Sequence, residues 1–426
     1  MKNYRLQDFR ITLEREGPSK YLKASYPVRY GRLSEIAHSG NTYLFNACGE
    51  IKYISGNGPD WPHPAEWLKR TSANDWVYYS TGSYYAGVFD LFGEFYLPCP
   101  AYQSNSLFKE KPFARAGIVA ALRQYSVFHA DILDILKKKA GRSDKDLEVF
   151  LARAGRCSAD YLRRRADRLH RILQARISVL PPDCRHVDYD VIPVMITDGC
   201  LYNCSFCEVK SGVELLCRSR QDIRRQLVAL RDFFGRDLPN YNSIYLGQHD
   251  ALGAPSDDIL FAAAEAYRIL DVKYSYMQEP RLFLFGSAES FLGKAEEFWR
   301  ELNRLPFYTY VNLGLESFDE QTLRFLGKPV RSKMMLRAFE RMLALNSNYE
   351  HIEITANFLL GDALPATHIP ALVAHLGHWA EGAAGKGSVY ISPLKGSKKT
   401  KELLEKFRQI KRESRFNTFL YLIQRL

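Results

Sequence analysis

Apolar positions change their period twice along the chain. Residues 112–178 carry apolar side chains at three- and four-residue steps. The runs are ARAGIVAALRQYSVFHADILDILKKKAGR and DLEVFLARAGRCSADYLRRRADRLHRILQARI. That spacing predicts amphipathic helices, and Pro181-Pro182 ends them. Upstream, short alternating runs such as Tyr43-Leu44-Phe45 and Trp76-Val77-Tyr78-Tyr79 predict strands. They are separated by turn residues at Ser55-Gly56-Asn57-Gly58-Pro59 and Ser80-Thr81-Gly82. Downstream, six compact apolar runs recur: VIPVMIT, SIYLG, LFLFG, YTYVNLGLE, HIEITANFLLG and VYIS. Helix-like stretches such as IRRQLVALRDFF and SKMMLRAFERMLALN lie between them. Repeated strand–helix units predict a parallel sheet. The expected fold is therefore α/β, a partial (β/α)6 TIM-like barrel over 188–394. A mixed α+β domain (1–110), a helical linker region (111–187) and a C-terminal helical tail (395–426) would accompany it.

Composition narrows the class. With 46% hydrophobic and 25% charged residues the chain is a folded globular protein. No run approaches the length of a membrane span, and the opening MKNYRLQDFRITLERE is too polar for a signal peptide. No membrane association and a cytoplasmic location are expected. The eight cysteines then read as thiols or metal ligands rather than disulfides. A net charge of +11 suits an anionic partner such as RNA. Much of it falls in the linker and the tail (Lys395, Lys398, Lys399, Lys401, Lys406, Arg408, Lys411, Arg412), outside the expected barrel mouth, and no RNA-binding module is recognisable.

The densest chemical signal is GCLYNCSFCEVKSG, directly after the first barrel strand. Cys200, Cys204 and Cys207 there form C-x3-C-x2-C. Three thiolates on one short loop can converge on a metal centre, and a [4Fe–4S] cluster with three protein ligands keeps one iron open. A zinc site needs a fourth ligand, and neither Cys184 nor Cys217 completes a familiar pair. Chance clustering of small apolar cysteines is the remaining reading.

With the aromatic Phe206 before the third cysteine, this loop resembles that of the radical S-adenosylmethionine (radical SAM) superfamily. The resemblance spans residues 190–393. It implies that Cys200, Cys204 and Cys207 hold a [4Fe–4S] cluster whose open iron binds S-adenosylmethionine (SAM). Reductive cleavage of SAM would yield a 5′-deoxyadenosyl radical that takes a hydrogen atom from a substrate. Later strand ends match in register. The resemblance places Gly247 and Gln248, Ser287 (with Glu289), Glu316, Asn357 and Ser392 around SAM, alongside Phe206. The stretch Gly314-Leu315-Glu316-Ser317-Phe318-Asp319, with Leu326-Gly327-Lys328, is similar to oxygen-independent coproporphyrinogen oxidases and Elongator-like barrels. A reductant such as flavodoxin or ferredoxin is implied as partner.

Several residues stay open. His249 and Asp250 read either as a proton relay or substrate contact, or as caps of the next helix. Cys99, between two prolines, is a candidate hydrogen-atom donor; Cys48, Cys157, Cys184 and Cys217 read as structural thiols. Tyr78-Tyr79 and Tyr84-Tyr85 read as strand packing, and the arginines of DYLRRRADRLHRILQAR as a solvated face. A peptide or small-metabolite substrate leads over two alternatives. These are an RNA-modifying enzyme and a non-catalytic Fe–S or metal-binding protein.

Overall fold

The computed structural model describes all residues except 1, 7, 23–27, 63–65, 80–111, 140–143, 176–178, 203, 208–211, 379–384, 398–399 and 424. Cys99, Tyr84 and Tyr85, named above, lie outside the described residues.

The alternating runs of the first zone form an antiparallel meander. Its strands are β1 (Lys2–Leu6), β2 (Phe9–Glu16), β3 (Arg32–His38), β4 (Asn41–Phe45), β5 (Ile51–Gly56), β6 (Trp67–Arg70) and β7 (Trp76–Tyr79), paired in chain order. Side chains alternate between the two faces of a strand, and both faces here are apolar. Ile36, Tyr43, Phe45, Ile51 and Ile54 meet helices α1 (Ala116–Lys139) and α2 (Lys145–Arg156). Phe128 of α1 stacks on Tyr43 at 4.5 Å, and Phe150 of α2 meets Phe45 edge-on at 5.8 Å. The residues between them, Leu33, Leu44, Tyr53, Trp67 and Val77, form a second cluster with Val179, and Phe285 and Ile423 pack against it. The meander is thus a middle layer. The helices of the expected linker region cover one of its faces instead of merely connecting two domains.

Asp144 and Ser158 cap α2 and α3 (Ala159–Leu173) by accepting from backbone N–H groups of their first turns. The arginine-rich face of α3 departs from the solvated reading. Arg165 turns inward, its side chain only 10% exposed, to pair with Glu50 of the meander.

The third zone is parallel throughout. Strands β8 (Ile192–Met195), β11 (Ser243–Gly247), β12 (Arg281–Ser287), β13 (Tyr308–Glu316), β14 (Ile352–Leu360) and β15 (Val389–Pro393) follow the six predicted runs. A seventh parallel strand, β16 (Thr418–Leu420), pairs with β15. The C-terminal tail is therefore one helix, α11 (Thr400–Glu413), followed by a strand, rather than helical to its end. Thr418-Phe419-Leu420 is too short to declare a period and reads as strand only where an edge accepts it. The order β16-β15-β14-β13-β12-β11-β8 leaves both edges unpaired with each other, so the barrel is partial. The connecting helices are α4 (Arg220–Phe234), α5 (Ser256–Ile269), α6 (Ala288–Leu292), α7 (Glu296–Arg304), α8 (Glu320–Phe325), α9 (Ser332–Asn348) and α10 (His368–His378).

The two layers are locked by charge as well as by apolar packing. Lys52 and Lys69 of the meander both reach Asp190 Oδ1, at 2.9 Å each, just before β8. After β16 the chain runs back beneath the meander. Arg425 pairs with Asp75 at 3.0 Å, and the Leu426 carbonyl accepts from Ala73 N–H at 2.8 Å. All parallel strands end on the same side, and that side carries the functional loops.

Candidate active site

The loop after β8 is held at both ends. Thr197–Asp198 (β9) and Leu216–Cys217 (β10) form a two-residue antiparallel ribbon, and Arg218 pairs with Asp198 at 2.5 Å. Gly199 lies in the left-handed region at φ +75°, and a Cβ there would stand 2.1 Å from the Glu214 carbonyl oxygen. Only glycine lets the two arms of the loop approach so closely. Inside the loop, the Ser205 hydroxyl and N–H both donate to the Leu326 carbonyl, at 2.8 and 3.2 Å. The cysteine loop is thereby tied to the segment after β13.

Cys204 is buried, and Cys200 and Cys207 are half-buried; all three line one cavity of about 220 Å³. Burial pushes the Cys204 thiol up to about 11 and raises Cys200 as well, whereas coordination to a metal centre deprotonates a thiol outright. Among the described residues no three His, Cys, Asp or Glu side chains converge as ligands of a single ion would. A cluster takes each thiolate on a different iron and needs no such convergence.

Glu316 lines the same cavity as the cysteines. It sits at φ +66°, immediately after a register shift between β13 and β14. A non-glycine residue in this region costs on the order of 1–3 kcal/mol, so its conformation is held by its surroundings. The Lys328 ammonium contacts Glu316 Oε1 at 3.2 Å and donates to the Gly314 carbonyl at 2.5 Å. Gly314 leaves room for this fold-back, since a Cβ there would meet Glu316 Oε1 at 2.8 Å and push the carboxylate aside. Glu316 and Lys328 side chains are 9% and 4% exposed, yet Glu316 Oε2 has no hydrogen-bond partner among the described residues. A buried carboxylate oxygen without a partner, on a residue that lines the cavity, is a demand for a donor.

The other predicted residues divide. Phe206, His249, Ser287, Asn357 and Ser392 line the same cavity. The Ser392 hydroxyl donates to Asn357 Oδ1 at 2.7 Å, and the Ser287 hydroxyl accepts from Ser290 N–H at 3.1 Å as the N-cap of α6. Burial lowers His249 to about 4, so its imidazole is neutral at neutral pH. Asp250 caps a helix, but not the next one. It accepts from Ser287 N–H at 3.0 Å and from the Ser290 hydroxyl at 2.8 Å, at the start of α6. Gly247 and Gln248 do not line the cavity; the Gly247 carbonyl accepts from Ile196 N–H at 2.9 Å and from the Thr197 hydroxyl at 3.5 Å. Those bonds join the ends of β8 and β11, which a sequence cannot display. Glu289 instead accepts from the Tyr202 hydroxyl at 2.9 Å on the surface.

Lys395, placed by the sequence outside the barrel mouth, lines the cavity because the chain turns inward after β15. Lys328 and Asn312 line it too. Lys328 was visible in the Leu326-Gly327-Lys328 stretch. Asn312 carried only the inward parity it shares with Gly314 and Glu316. Cys48 and Cys157 donate to the carbonyls of Phe234 and Arg153, at 3.4 and 3.3 Å, and Cys184 is fully buried. Cys217 is exposed on β10.

Residues 194–362 match the model of the Radical SAM superfamily. That segment is a radical SAM domain. Members of that superfamily are enzymes that use a [4Fe–4S] cluster and SAM. Three solved structures are similar at low identity. The cobalamin-dependent S-adenosylmethionine radical enzyme OxsB, with aqua-cobalamin and S-adenosylmethionine bound, is 16% identical, with a TM-score of 0.35 over 54% of this chain and 32% of that one. A radical SAM methyltransferase from Sphaerobacter thermophilus is 16% identical, with a TM-score of 0.37 over 55% and 66%. Coproporphyrinogen III oxidase (HemN) from Escherichia coli is 13% identical, with a TM-score of 0.34 over 51% and 46%. The chain thus spans about a third of the length of OxsB. No curated protein matches it. No helix among the described residues is long and apolar enough to cross a membrane. The residues present suit the radical SAM cofactors: three thiols on one loop, and a buried, unpartnered carboxylate oxygen on Glu316, which lines the same cavity.

Proposed function

We propose that this radical SAM enzyme abstracts a hydrogen atom from a peptide or small-molecule substrate held in the cavity beneath the cysteine loop. The observation that carries the reading is the shared cavity. Cys200, Cys204 and Cys207 line it together with the buried Glu316–Lys328 pair. Cys200, Cys204 and Cys207 would hold the cluster. Glu316 Oε2 would accept from a hydroxyl or the ammonium of SAM, and Lys328 suits its carboxylate. Phe206, Asn357 and Ser392 would complete the binding wall. When bound, the two cofactors supply one-electron reductive cleavage of a sulfonium bond and, from it, hydrogen-atom abstraction.

The chain's own residues enclose that chemistry. Val179, Phe285 and Ile423 line the cavity while packing against the meander, so apolar side chains backed by the N-terminal domain form part of its lining. His249 is neutral and adds no further cation to Lys328 and Lys395. The walled cavity favours a small or slender substrate over a folded RNA. A reductant such as flavodoxin or ferredoxin would supply the electron.

The test is anaerobic reconstitution with iron and sulfide, followed by SAM and dithionite, with chromatography for 5′-deoxyadenosine. Its formation supports the reading. A fully loaded cluster that yields none removes the catalytic reading, and tightly bound zinc without iron uptake removes the cluster as well.

A further inference from the structure

A chain of hydrogen bonds crosses the barrel interior beneath the cavity. The Arg185 Nε–H donates to the Tyr390 hydroxyl oxygen at 2.7 Å, and the Tyr390 hydroxyl donates to Asp183 Oδ1 at 2.8 Å. From the other side the Thr355 hydroxyl donates to Asp183 Oδ2 at 2.7 Å, and Asn312 Nδ2 donates to the Thr355 oxygen at 2.9 Å. Asn312 and Thr355 face each other in register across β13 and β14. Asp183, Thr355 and Asn312 are at most 1% exposed, and Asn312 also lines the cavity.

We propose that Asn312 is locked as a hydrogen-bond acceptor in the cavity wall, its amide oriented from behind by Asp183 through Thr355, and that it selects a ligand bearing a donor at that point. An ionised carboxylate has no proton to give. The Thr355 hydroxyl therefore spends its single proton on Asp183, which leaves it only lone pairs for Asn312. Only the NH2 end of the amide can meet a lone pair, so the carbonyl end, Oδ1, is turned away from Thr355. Amide oxygen and nitrogen are told apart by their partners, and this network allows one assignment. Among the described residues nothing donates to Oδ1, and it is not sealed from the cavity. A ligand group meeting it must carry an N–H or O–H: an amide, an amine or a hydroxyl. An acceptor placed there leaves two lone pairs opposed and is rejected.

This inference deepens the reading above and rests on it for the ligand, but not for the orientation. SAM and the second substrate can both carry such a donor. The test uses the cluster-loaded full chain labelled with 15N-asparagine, with the Asn312 side-chain signal identified by its loss in Asn312→Asp. In the wild type one amide proton of the pair is protected from solvent exchange. In Thr355→Val its exchange accelerates by about tenfold or more, because the acceptor is gone. In Thr355→Ser, which keeps the hydroxyl, protection is retained. A shift of the signal on adding SAM assigns the donor to SAM; an unmoved signal assigns it to the second substrate. Wild-type amide protons that exchange as fast as those of an exposed asparagine overturn the proposal, as does protection that survives in Thr355→Val. Should neither variant fold, the wild-type exchange rate alone decides. A chain that takes up no iron fails the functional reading, yet its amide exchange still reports the orientation.

Discussion

Two buried charged regions of this molecule look alike in composition and differ in one atom. Between the meander and the barrel, Lys52, Lys69, Arg70 and Arg165 meet Glu50, Asp190 and Asp237 around a cavity of about 40 Å³. Every carboxylate there is answered. Asp190 takes both lysines, and Glu50 takes Arg165 and an Asn46 N–H at 3.2 Å. Asp237 accepts from Asn46 and Asn240 at 3.1 and 2.7 Å. None of the three keeps a buried oxygen without a partner. Beneath the cysteine loop, Glu316 and Lys328 are just as buried and line a cavity of about 220 Å³, but Oε2 has no hydrogen-bond partner among the described residues. Closed networks fix an interface, whereas an open one is prepared for something that binds.

The sharpest break of that comparison is Cys204→Ala. It should abolish the visible absorbance of the reconstituted cluster and all SAM cleavage while leaving the thermal midpoint nearly unmoved. Asp190→Ala should do the reverse. Two buried ammoniums lose their counter-charge, so urea denaturation should show a loss of about 3–5 kcal/mol, with the cysteine loop still able to take iron. Glu316→Gln is expected to weaken SAM binding about tenfold, or 1.4 kcal/mol, in equilibrium dialysis. Its stability cost should be about 3 kcal/mol or less, because Gln removes the counter-charge of the buried Lys328 but keeps an oxygen for its ammonium.

A pH titration sharpens the contrast further. Burial pushes the Asp183 carboxyl up to about 6 from its ordinary 3.8, with Glu353 adding to the rise. The folded chain thus holds this proton more tightly than the unfolded one. Its contribution is complete below about pH 4, declines as pH rises through about 6 and is level above, by about 2–3 kcal/mol in all. Asp183→Asn should remove that slope from the pH dependence of the unfolding midpoint. The smallest effect is at the surface. Leu216→Ser, on the exposed rim of the cysteine loop, should change stability by no more than about 0.5 kcal/mol.

Much of this was legible in one dimension, because local rules govern it. The six apolar runs became parallel strands, since short buried strands between helical segments have few other arrangements. The cysteine triplet was readable because its ligands lie within eight residues of one another. The sequence could also show that Glu316 ends a strand. Its partner had to come from elsewhere, as Lys328 does, and a left-handed backbone at a glutamate leaves no signature in composition. Thr418–Leu420 became a strand only because β15 offered it an edge. Arg165 left the solvated face of α3 only because Glu50 lay beneath it. Asn312 gained its direction from Asp183, 129 positions away along the chain. What the sequence determined by itself was the class of chemistry and the order of elements. Tertiary structure alone decided which charges are satisfied and which atom is left open, because partnering depends on distances that only the folded chain possesses.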